Sequence, residues 1–370
     1  MRITIGLVGG GTGGHFYPLI AVAEELRILT PDAELLYFGP EPYNQSSLDA
    51  QQVQHIRIPA GKRRKYRSVL NFLDVFRTLW GTKVAVWKLF WHYPDVIVSK
   101  GGYTSVPVVV AAAFLRIPVV IHESDAVPGK ANLLVKKLAR YIAISYDDAA
   151  KHFPAHKTAL IGIPIRRSFF AALPNPHETL GIPADKPVLF VTGGSMGAQR
   201  INTLLLDSLD ELLPHYTIVH QVGVDNVTSV QETALARQLP VTLMERYFIM
   251  GHLTGEQMAA AQSAATLIIS RAGSTSIFEA ALKGKPTILI PIPEDISHDQ
   301  RTNAYAFARS GGGTVIEEDN LTDGLLTAEI TRIMTDQTVY DTMVKAARAF
   351  TTPNAAVRLA TIVRDIALEH

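Results

Sequence analysis

The sequence predicts an α/β protein built as two Rossmann-like domains, and three observations carry that prediction. Short apolar, β-branched runs alternate with stretches of helical period, the pattern of a doubly wound parallel sheet. Strand, glycine-rich loop and helix occur in that order twice, at Gly9–Gly14 and at Gly193–Gly197, about half the chain apart. A chain of 370 residues also exceeds what one hydrophobic core usually organises. The two openings suggest domains that face one cleft.

In the first half, Ile3–Val8 reads as a strand, Ala21–Leu29 as a helix and Leu35–Phe38 as the next strand. The long amphipathic stretch Leu70–Trp91 follows, then strand Val96–Val98, helix Val106–Leu115, strand Val119–Ile121, helix Leu133–Leu138 and strand Tyr141–Ser145. The rhythm breaks around Ile163-Pro164-Ile165-Arg166, and a polar, proline-bearing stretch precedes the new start at Val188–Thr192. A domain boundary is expected near Arg166. The second half repeats the logic, with strands near Thr217–His220, Thr266–Ser270 and Thr287–Ile290. Its helices are expected near Asn202–Leu213, Ser276–Lys283 and Gln300–Ser310.

Composition is that of a folded protein, 47% hydrophobic and 19% charged, which excludes disorder. Cysteine is absent, so disulfides, zinc–thiolate sites and thiol nucleophiles are excluded and a reducing cytoplasm is expected. Met1-Arg2-Ile3-Thr4-Ile5 runs straight into a strand, so no export signal is expected. The longest apolar run, Val106–Leu115, ends at Arg116 and falls short of the roughly 20 residues a spanning helix needs.

Charge is uneven. Between Lys62 and His92, eight basic residues (Lys62, Arg63, Arg64, Lys65, Arg67, Arg77, Lys83 and Lys88) face Asp74 alone, a local charge of +7 in a chain whose formal net charge is +1. All three tryptophans, Trp80, Trp87 and Trp91, lie in that segment at helical spacing, with Phe72, Phe76 and Phe90. Basic residues interleaved with tryptophan suit a peripheral contact with an anionic membrane surface, through headgroup attraction and shallow insertion. The alternative is an apolar stripe buried in the domain core. Nucleic acid is not expected, because no recognised binding motif accompanies the charge.

The glycine run Gly9-Gly10-Gly11-Thr12-Gly13-Gly14 satisfies G-x-G-x-x-G between strand and helix, where backbone N–H groups can approach a phosphate. A dinucleotide site would want an acid ending the second strand, and at Glu41 the fit is poor; a purely structural turn is the other alternative. The P-loop lysine is missing. His15 follows the loop directly, where an imidazole can take a proton from a bound hydroxyl, or merely hydrogen-bond at a helix start.

Gly193-Gly194-Ser195-Met196-Gly197 matches both a diphosphate loop and a G-x-S-x-G nucleophile elbow. Asp295 and His298 stand in the right order to complete a hydrolase triad. Arg271–Glu279 again joins a strand to a helix and places a carboxylate about one turn in, suited to a ribose diol. The plainer reading makes Ser276 an N-cap and Glu279 its capping-box partner. The stretch from His298 to Asn303 offers amides and a carboxylate to sugar hydroxyls, or a solvated helix start. With no D-x-D and no H-E-x-x-H, neither a metal requirement nor a cofactor is expected.

Taken together, Gly10–His15, Lys100-Gly101-Gly102-Tyr103, His122-Glu123-Ser124-Asp125, Gly193–Ala198 and Arg271–Glu279 resemble the MurG family of N-acetylglucosaminyltransferases over nearly the whole chain. The resemblance implies a GT-B fold with the last helix, near Asn354–Glu369, crossing back onto the first domain. Residues 1–165 and 354–370 would then bind acceptor and membrane, and residues 166–353 the UDP-sugar. It further implies that N-acetylglucosamine moves, with inversion, from UDP-N-acetylglucosamine to a lipid-linked N-acetylmuramyl pentapeptide at the cytoplasmic face of the membrane. A related diacylglycerol glycosyltransferase is the alternative.

Carried over by position, the resemblance sets Thr12, Gly13 and Gly14 at the diphosphate and acceptor, and Arg166 and Ser195 on the donor nucleotide. Ser274, Thr275, Ser276, Ile277, Phe278 and Glu279 would hold uridine and ribose, and Gln300 the sugar. Gly101, Gly102, Tyr103, His122 and Glu123 would line the acceptor side, and Lys62–Trp91 would touch the membrane. Where the commoner pattern has Glu-Gln-Asn, this chain has Glu123-Ser124-Asp125, and Ile163-Pro164 replaces Asn-Pro. Asp125 thereby becomes a rival to His15 as the catalytic base and a candidate donor contact.

Overall fold

The computed structural model describes residues 3–60, 70–171, 173–194, 196–294, 296–297 and 299–370. The chain divides into two compact units, Met1–Arg167 with Thr352–His370, and Ser168–Thr351.

Unit 1 holds a seven-stranded parallel sheet made of β1 (Thr4–Val8), β2 (Glu34–Gly39), β3 (Val53–Arg57), β4 (Val96–Ser99), β5 (Val119–Glu123), β6 (Tyr141–Ile144) and β7 (Thr158–Leu160), in the order β3-β2-β1-β4-β5-β6-β7. Successive side chains point to opposite faces. Ile5 and Leu7 enter one core with Phe16 and Leu19, while Val8, Ile97 and Ile121 enter the other with Ala85 and Leu89. Both faces are covered, which is why the inner strands read as continuous apolar runs. The closing helix Ala355–Glu369 joins the first of these cores through Ala355, Leu359, Ala360 and Val363, against the helix Gly13–Leu29.

Unit 2 repeats the plan with β8 (Val188–Thr192), β9 (Thr217–Gln221), β10 (Tyr247–Met250), β11 (Leu267–Ser270), β12 (Thr287–Leu289) and β13 (Gly313–Val315), in the order β10-β9-β8-β11-β12-β13. Leu189 and Val191 face one core and Val188 and Phe190 the other.

The nine strands expected from sequence are the inner ones, and β3, β7, β10 and β13 were not expected. Each of these four lies at a sheet edge. Their burial is only partial, in contrast to the fully buried run of β4, β5, β8 or β9. The expected helix Asn202–Leu213 is in fact two, Gln199–Asp207 and Leu209–Leu212, parted at Ser208, whose hydroxyl bonds back to the Leu204 carbonyl at 3.0 Å. The expected helix Ser276–Lys283 begins earlier, as Ser274–Leu282.

In unit 2 a fully buried histidine ties β9 to its neighbours. His220 lies 3.1 Å from Asn202 Oδ1 through Nε2 and 2.7 Å from the Tyr247 hydroxyl through Nδ1, the pattern of a neutral ring with both nitrogens satisfied. Burial pushes its pKa down to about 3. The unfolded chain protonates this ring through the ordinary value of about 6.5, while the folded protein leaves it neutral. Its contribution is therefore complete above that value and is lost as the pH falls towards 3. Denaturant melts should show about 2 kcal/mol less stability at pH 5 than at pH 7 from His220 alone. His220→Gln should flatten the profile by that amount, and an unchanged profile would assign the proton uptake elsewhere.

Candidate functional site

Strand order reverses direction between β1 and β4 in unit 1 and between β8 and β11 in unit 2. Loops leaving the carboxyl ends of such a pair diverge to opposite faces of the sheet and leave a crevice, the usual ligand position in an open parallel sheet. The predicted site motifs fall on these strand ends.

In unit 1, β1 runs into Gly9, whose carbonyl accepts from Thr104 Oγ1 at 2.5 Å and from the Tyr37 hydroxyl at 3.4 Å. Thr12 caps the helix Gly13–Leu29 through its carbonyl, which accepts from the N–H groups of His15 and Phe16 at 3.0 and 3.1 Å. Its side chain instead meets His15 Nδ1 at 2.8 Å, orienting the ring. Among the described residues, no acceptor meets the N–H groups of Gly13 and Gly14. A helix N-terminus with free amides carries a partial positive charge suited to a phosphate.

The loop after β4 presses on this one. Gly102 sits at φ +81°, and a Cβ there would come within 3.0 Å of the Gly10 Cα, so neither the backbone angle nor the space admits a side chain. Lys100 donates its N–H to the Val8 carbonyl at 2.8 Å, which joins the ends of β1 and β4. Tyr103 sits over the first loop, its hydroxyl 3.9 Å from where a Cβ on Gly11 would stand.

At the end of β5, His122 and Glu123, expected on the acceptor side, are 1% and 3% exposed. His122 Nε2 donates to the Gly162 carbonyl at 2.9 Å, and burial with the nearby Lys100 charge lowers its pKa to about 3, so the ring is neutral. Glu123 accepts from the N–H groups of Asp125 and Gly129, each at 3.0 Å, and from Asn132 Nδ2 at 2.9 Å. Burial raises its pKa, and the Asp125 charge raises it further. Both residues shape the turn from beneath. Asp125 is half-buried.

Arg166 stacks its guanidinium over the Tyr17 ring at 4.1 Å, in unit 1. Arg167 anchors the segment, with Nε on Glu25 at 2.8 Å and its N–H on Glu24 at 2.8 Å. Arg166 thus stands beside the helix that opens at Gly13. Ser195, Lys62, Arg63, Arg64, Lys65, Arg67, Asp295 and His298 lie outside the described residues.

In unit 2 the loop after β8 is a tight turn. Gly197 donates its N–H to the Gly194 carbonyl at 3.0 Å, and Gly194 donates to Thr192 Oγ1 at 3.0 Å. Gly197 has φ +74°, and a Cβ on it would lie 1.9 Å from the Val222 carbonyl oxygen. After β11, Arg271 is held by the carbonyls of Ile290 and Pro291 and by Glu318.

The helix Ser274–Leu282 is capped by Gly273. Ser276 is therefore its third residue rather than its cap, which rules out the capping-box reading of Glu279. Ser274, Thr275 and Ser276 supply the first-turn N–H groups. Ile277 and Phe278, expected at the nucleotide, are 0% and 1% exposed and belong to the core, and the Ile277 N–H is already bonded to Gly273 at 3.1 Å. Glu279 is 8% exposed, with Gln262 Nε2 donating to it at 3.3 Å. Gln300 is half-buried and accepts from the Ile292 N–H at 3.1 Å through Oε1.

Lys100, Thr104, Asn132 and Gln262 hold these loops in place, and sequence reasoning gave them no site role. Only Lys100 had a signal, as a charged residue directly before two glycines; the others lie far along the chain from the groups they serve.

The helix Leu70–His92 sends Ala85 and Leu89 into the core. On its other side Trp80, Trp87 and Trp91 are 62%, 59% and 69% exposed, with Leu79 and Phe90 beside them. Lys88 Nζ lies 5.2 Å from the Trp87 ring. One face of this helix is therefore in the core and another is exposed. Among the described residues, no helix is long and apolar enough to cross a membrane.

Residues 5–144 match the glycosyltransferase family 28 N-terminal domain, and residues 188–359 the family 28 C-terminal domain. A UDP-N-acetylglucosamine–N-acetylmuramyl-(pentapeptide) pyrophosphoryl-undecaprenol N-acetylglucosamine transferase of Treponema denticola is 37% identical over 83% of this chain and 82% of its own length. The protein of the same description from Clostridium kluyveri is 32% identical over 95% of this chain and 97% of its own. The crystal structure of Acinetobacter baumannii MurG superposes with a TM-score of 0.75 at 26% identity, covering 99% of this chain and 100% of that one.

The Gly197 turn makes a stability prediction. Gly197→Ala must place a methyl against the Val222 carbonyl in a left-handed backbone, at a cost of about 2 kcal/mol or more. Thermal melts should show a loss of roughly 4–8 °C. An unshifted melting temperature would mean that the turn opens freely.

Proposed function

The chain belongs to glycosyltransferase family 28 and, within it, to the MurG family, and from that premise we propose a reaction and a division of labour among its residues. The reaction is transfer of N-acetylglucosamine from UDP-N-acetylglucosamine to the 4-hydroxyl of an undecaprenyl-diphosphate-linked N-acetylmuramyl pentapeptide. The hydroxyl oxygen forms a bond to the anomeric carbon as that carbon's bond to the diphosphate oxygen breaks. UDP leaves, the hydroxyl proton passes to a protein base, and the anomeric configuration inverts.

One observation carries the assignment of parts: each unit presents a glycine turn and a helix N-terminus at the point where its strand order reverses. The barrier to this reaction lies largely in charge growing on the leaving diphosphate. Fixed N–H donors stabilise such charge without reorganising, and one well-placed donor lowers a barrier by roughly 3 kcal/mol. The amides of Gly13 and Gly14 and the Arg166 guanidinium supply this from unit 1. From unit 2, Ser195, the first-turn amides of Ser274–Ser276, and Glu279 on the ribose diol hold the nucleotide, with Gln300 on the sugar. His15 or Asp125 takes the proton. The absence of a carboxylate clamp in the sequence supports a reaction without metal.

The tryptophan face supports peripheral attachment to an anionic membrane at its cytoplasmic side, where a UDP-sugar is available. Exposed Trp80, Trp87 and Trp91 enter the headgroup layer, and Lys83 and Lys88 meet its charge.

The assay is UDP release from UDP-N-acetylglucosamine with a lipid-linked muramyl pentapeptide, in the presence of EDTA. Turnover is expected. Its absence would defeat the functional reading, turnover only with diacylglycerol would replace the acceptor, and labelling of Ser195 by a fluorophosphonate would favour a hydrolase. Glu279→Gln should raise the KM for the UDP-sugar by about tenfold, because charge-assisted hydrogen bonds become neutral ones.

For the membrane face, Trp80→Asp with Trp87→Asp should reduce sedimentation with anionic vesicles by about tenfold or more. Turnover of a short-chain, water-soluble acceptor should be retained. Unchanged vesicle binding would place the contact elsewhere.

A further inference from the structure

Four aromatic rings gather beside the first glycine loop, with Phe16 at their centre. Its ring centroid lies 5.6 Å from that of Tyr17, 5.9 Å from Tyr37 and 6.1 Å from Tyr43, and Tyr17 meets Tyr43 edge-to-face at 5.7 Å. These are the separations of attractive aromatic pairs. Tyr37 belongs to β2, and Tyr43 to the loop that leaves its carboxyl end.

The four differ in what they leave uncovered. Phe16 and Tyr37 are buried, and Tyr37 donates its hydroxyl to the Gly9 carbonyl. Tyr17 is half-buried, with the Arg166 guanidinium over its ring at 4.1 Å. Tyr43 alone of the four is exposed, at 37%. A tyrosine that exposed leaves much of its favourable burial unused, and a ligand that covers the ring recovers it.

Tyr43 is nevertheless held in place. Asn44, the next residue, caps the helix Gln45–Ala50, its Oδ1 accepting from the Ser47 N–H at 3.0 Å. A capped backbone and two neighbouring rings fix the side chain before a ligand arrives, which lowers the ordering cost of binding. The ring also borders the glycine loop: a Cβ on Gly13 would stand 3.6 Å from Tyr43 Cε1 and 3.4 Å from the Tyr17 ring. Because Gly13 has no side chain, nothing of its own parts Tyr43 from the start of the helix Gly13–Leu29.

An aromatic side chain beside a few convergent polar groups is the usual lining of a small-molecule site. A pyranose matches that pairing, since its ring C–H groups make an apolar face and its hydroxyls lie at the rim, within reach of backbone groups. Uracil is the other flat or apolar-faced group in the reaction, but the functional reading above gives it to unit 2, whereas Tyr43 lies in unit 1. Resting on that reading, we propose that Tyr43 is a specificity-determining contact for the acceptor, its ring packing against the C–H face of the N-acetylmuramyl sugar beside Gly13.

Three variants test this. Tyr43→Phe keeps the ring, Tyr43→Leu keeps apolar packing against Phe16 without a flat ring, and Tyr43→Gln removes both. In the Leu and Gln variants the KM for the lipid-linked acceptor should rise about tenfold. The KM for UDP-N-acetylglucosamine and kcat should stay within about twofold of wild type, the split expected when uniform acceptor binding is lost. Tyr43→Phe should restore the acceptor KM to within about twofold of wild type, a rescue that a merely structural role shared with leucine would not produce.

Thermal melts establish that each variant is folded, and should Tyr43→Leu fail to fold, Tyr43→Gln decides in its place. An unchanged acceptor KM in a folded non-aromatic variant overturns the proposal. So does a Tyr43→Phe as impaired as Tyr43→Leu, a joint rise of both KM values, or a rise confined to UDP-N-acetylglucosamine, which would give the ring to the donor. Wild-type protein without turnover would defeat the functional reading itself, whereas a turning-over wild type beside a Tyr43→Leu of wild-type kinetics defeats this inference only.

Discussion

A parallel strand delivers its chain to one edge of the sheet, and the helix that follows must start there, so every β-strand-to-helix loop of a unit opens on the same edge. Where strand order reverses, neighbouring loops turn to opposite faces, and their backbones can approach closely only if side chains are absent. Gly102 against Gly10 meets this condition in unit 1; in unit 2 the glycine turn after β8 makes its close approach through Gly197 to Val222, in the loop after β9. Much of the site follows from that constraint. With no side chains on the loop's glycines, helix-initial amides are left open to a ligand, and these amides supply positive potential without a charged side chain.

The loops are then held by polar contacts from distant parts of the chain. Thr104 and Tyr37 fix the Gly9 carbonyl, Asn132 and the turn amides fix Glu123, and Gln221 and Thr192 fix the second glycine turn. Such contacts narrow the positions available to His15, Asp125 and Glu279, and most chemistry of this kind depends on position more than on reactivity. The burial of His122 and Glu123 belongs to this supporting layer. Polar residues in a site motif divide into those that touch a ligand and those that hold the ones that do.

The helix Leu70–His92 shows how one segment serves two environments. Its inner face contributes Ala85 and Leu89 to the core, and small or aliphatic residues suit that tight packing. Its outer face carries the tryptophans, whose large, amphipathic rings would be poorly placed in a core with no partner for the indole N–H. Composition alone could not divide the two faces, because both are apolar.

The inner strands were legible because a strand buried on both faces must be apolar along its length, and the glycine loops because only glycine tolerates their backbone angles and contacts. Edge strands such as Val53–Arg57 were not legible, since one exposed side removes the apolar run that marks a strand. The start of the helix at Ser274 was misjudged, because Ser274, Thr275 and Ser276 can each cap a helix and local chemistry does not choose among them. Sequence by itself determined that this chain makes two parallel sheets, each with a glycine turn ahead of a helix, since periodicity and glycine spacing are properties of neighbouring residues. Only the tertiary structure decided that His122, Glu123, Ile277 and Phe278 turn inward while the tryptophans turn out, and that Lys100 reaches Ser124. Burial and pairing depend on what the rest of the chain brings to the same place.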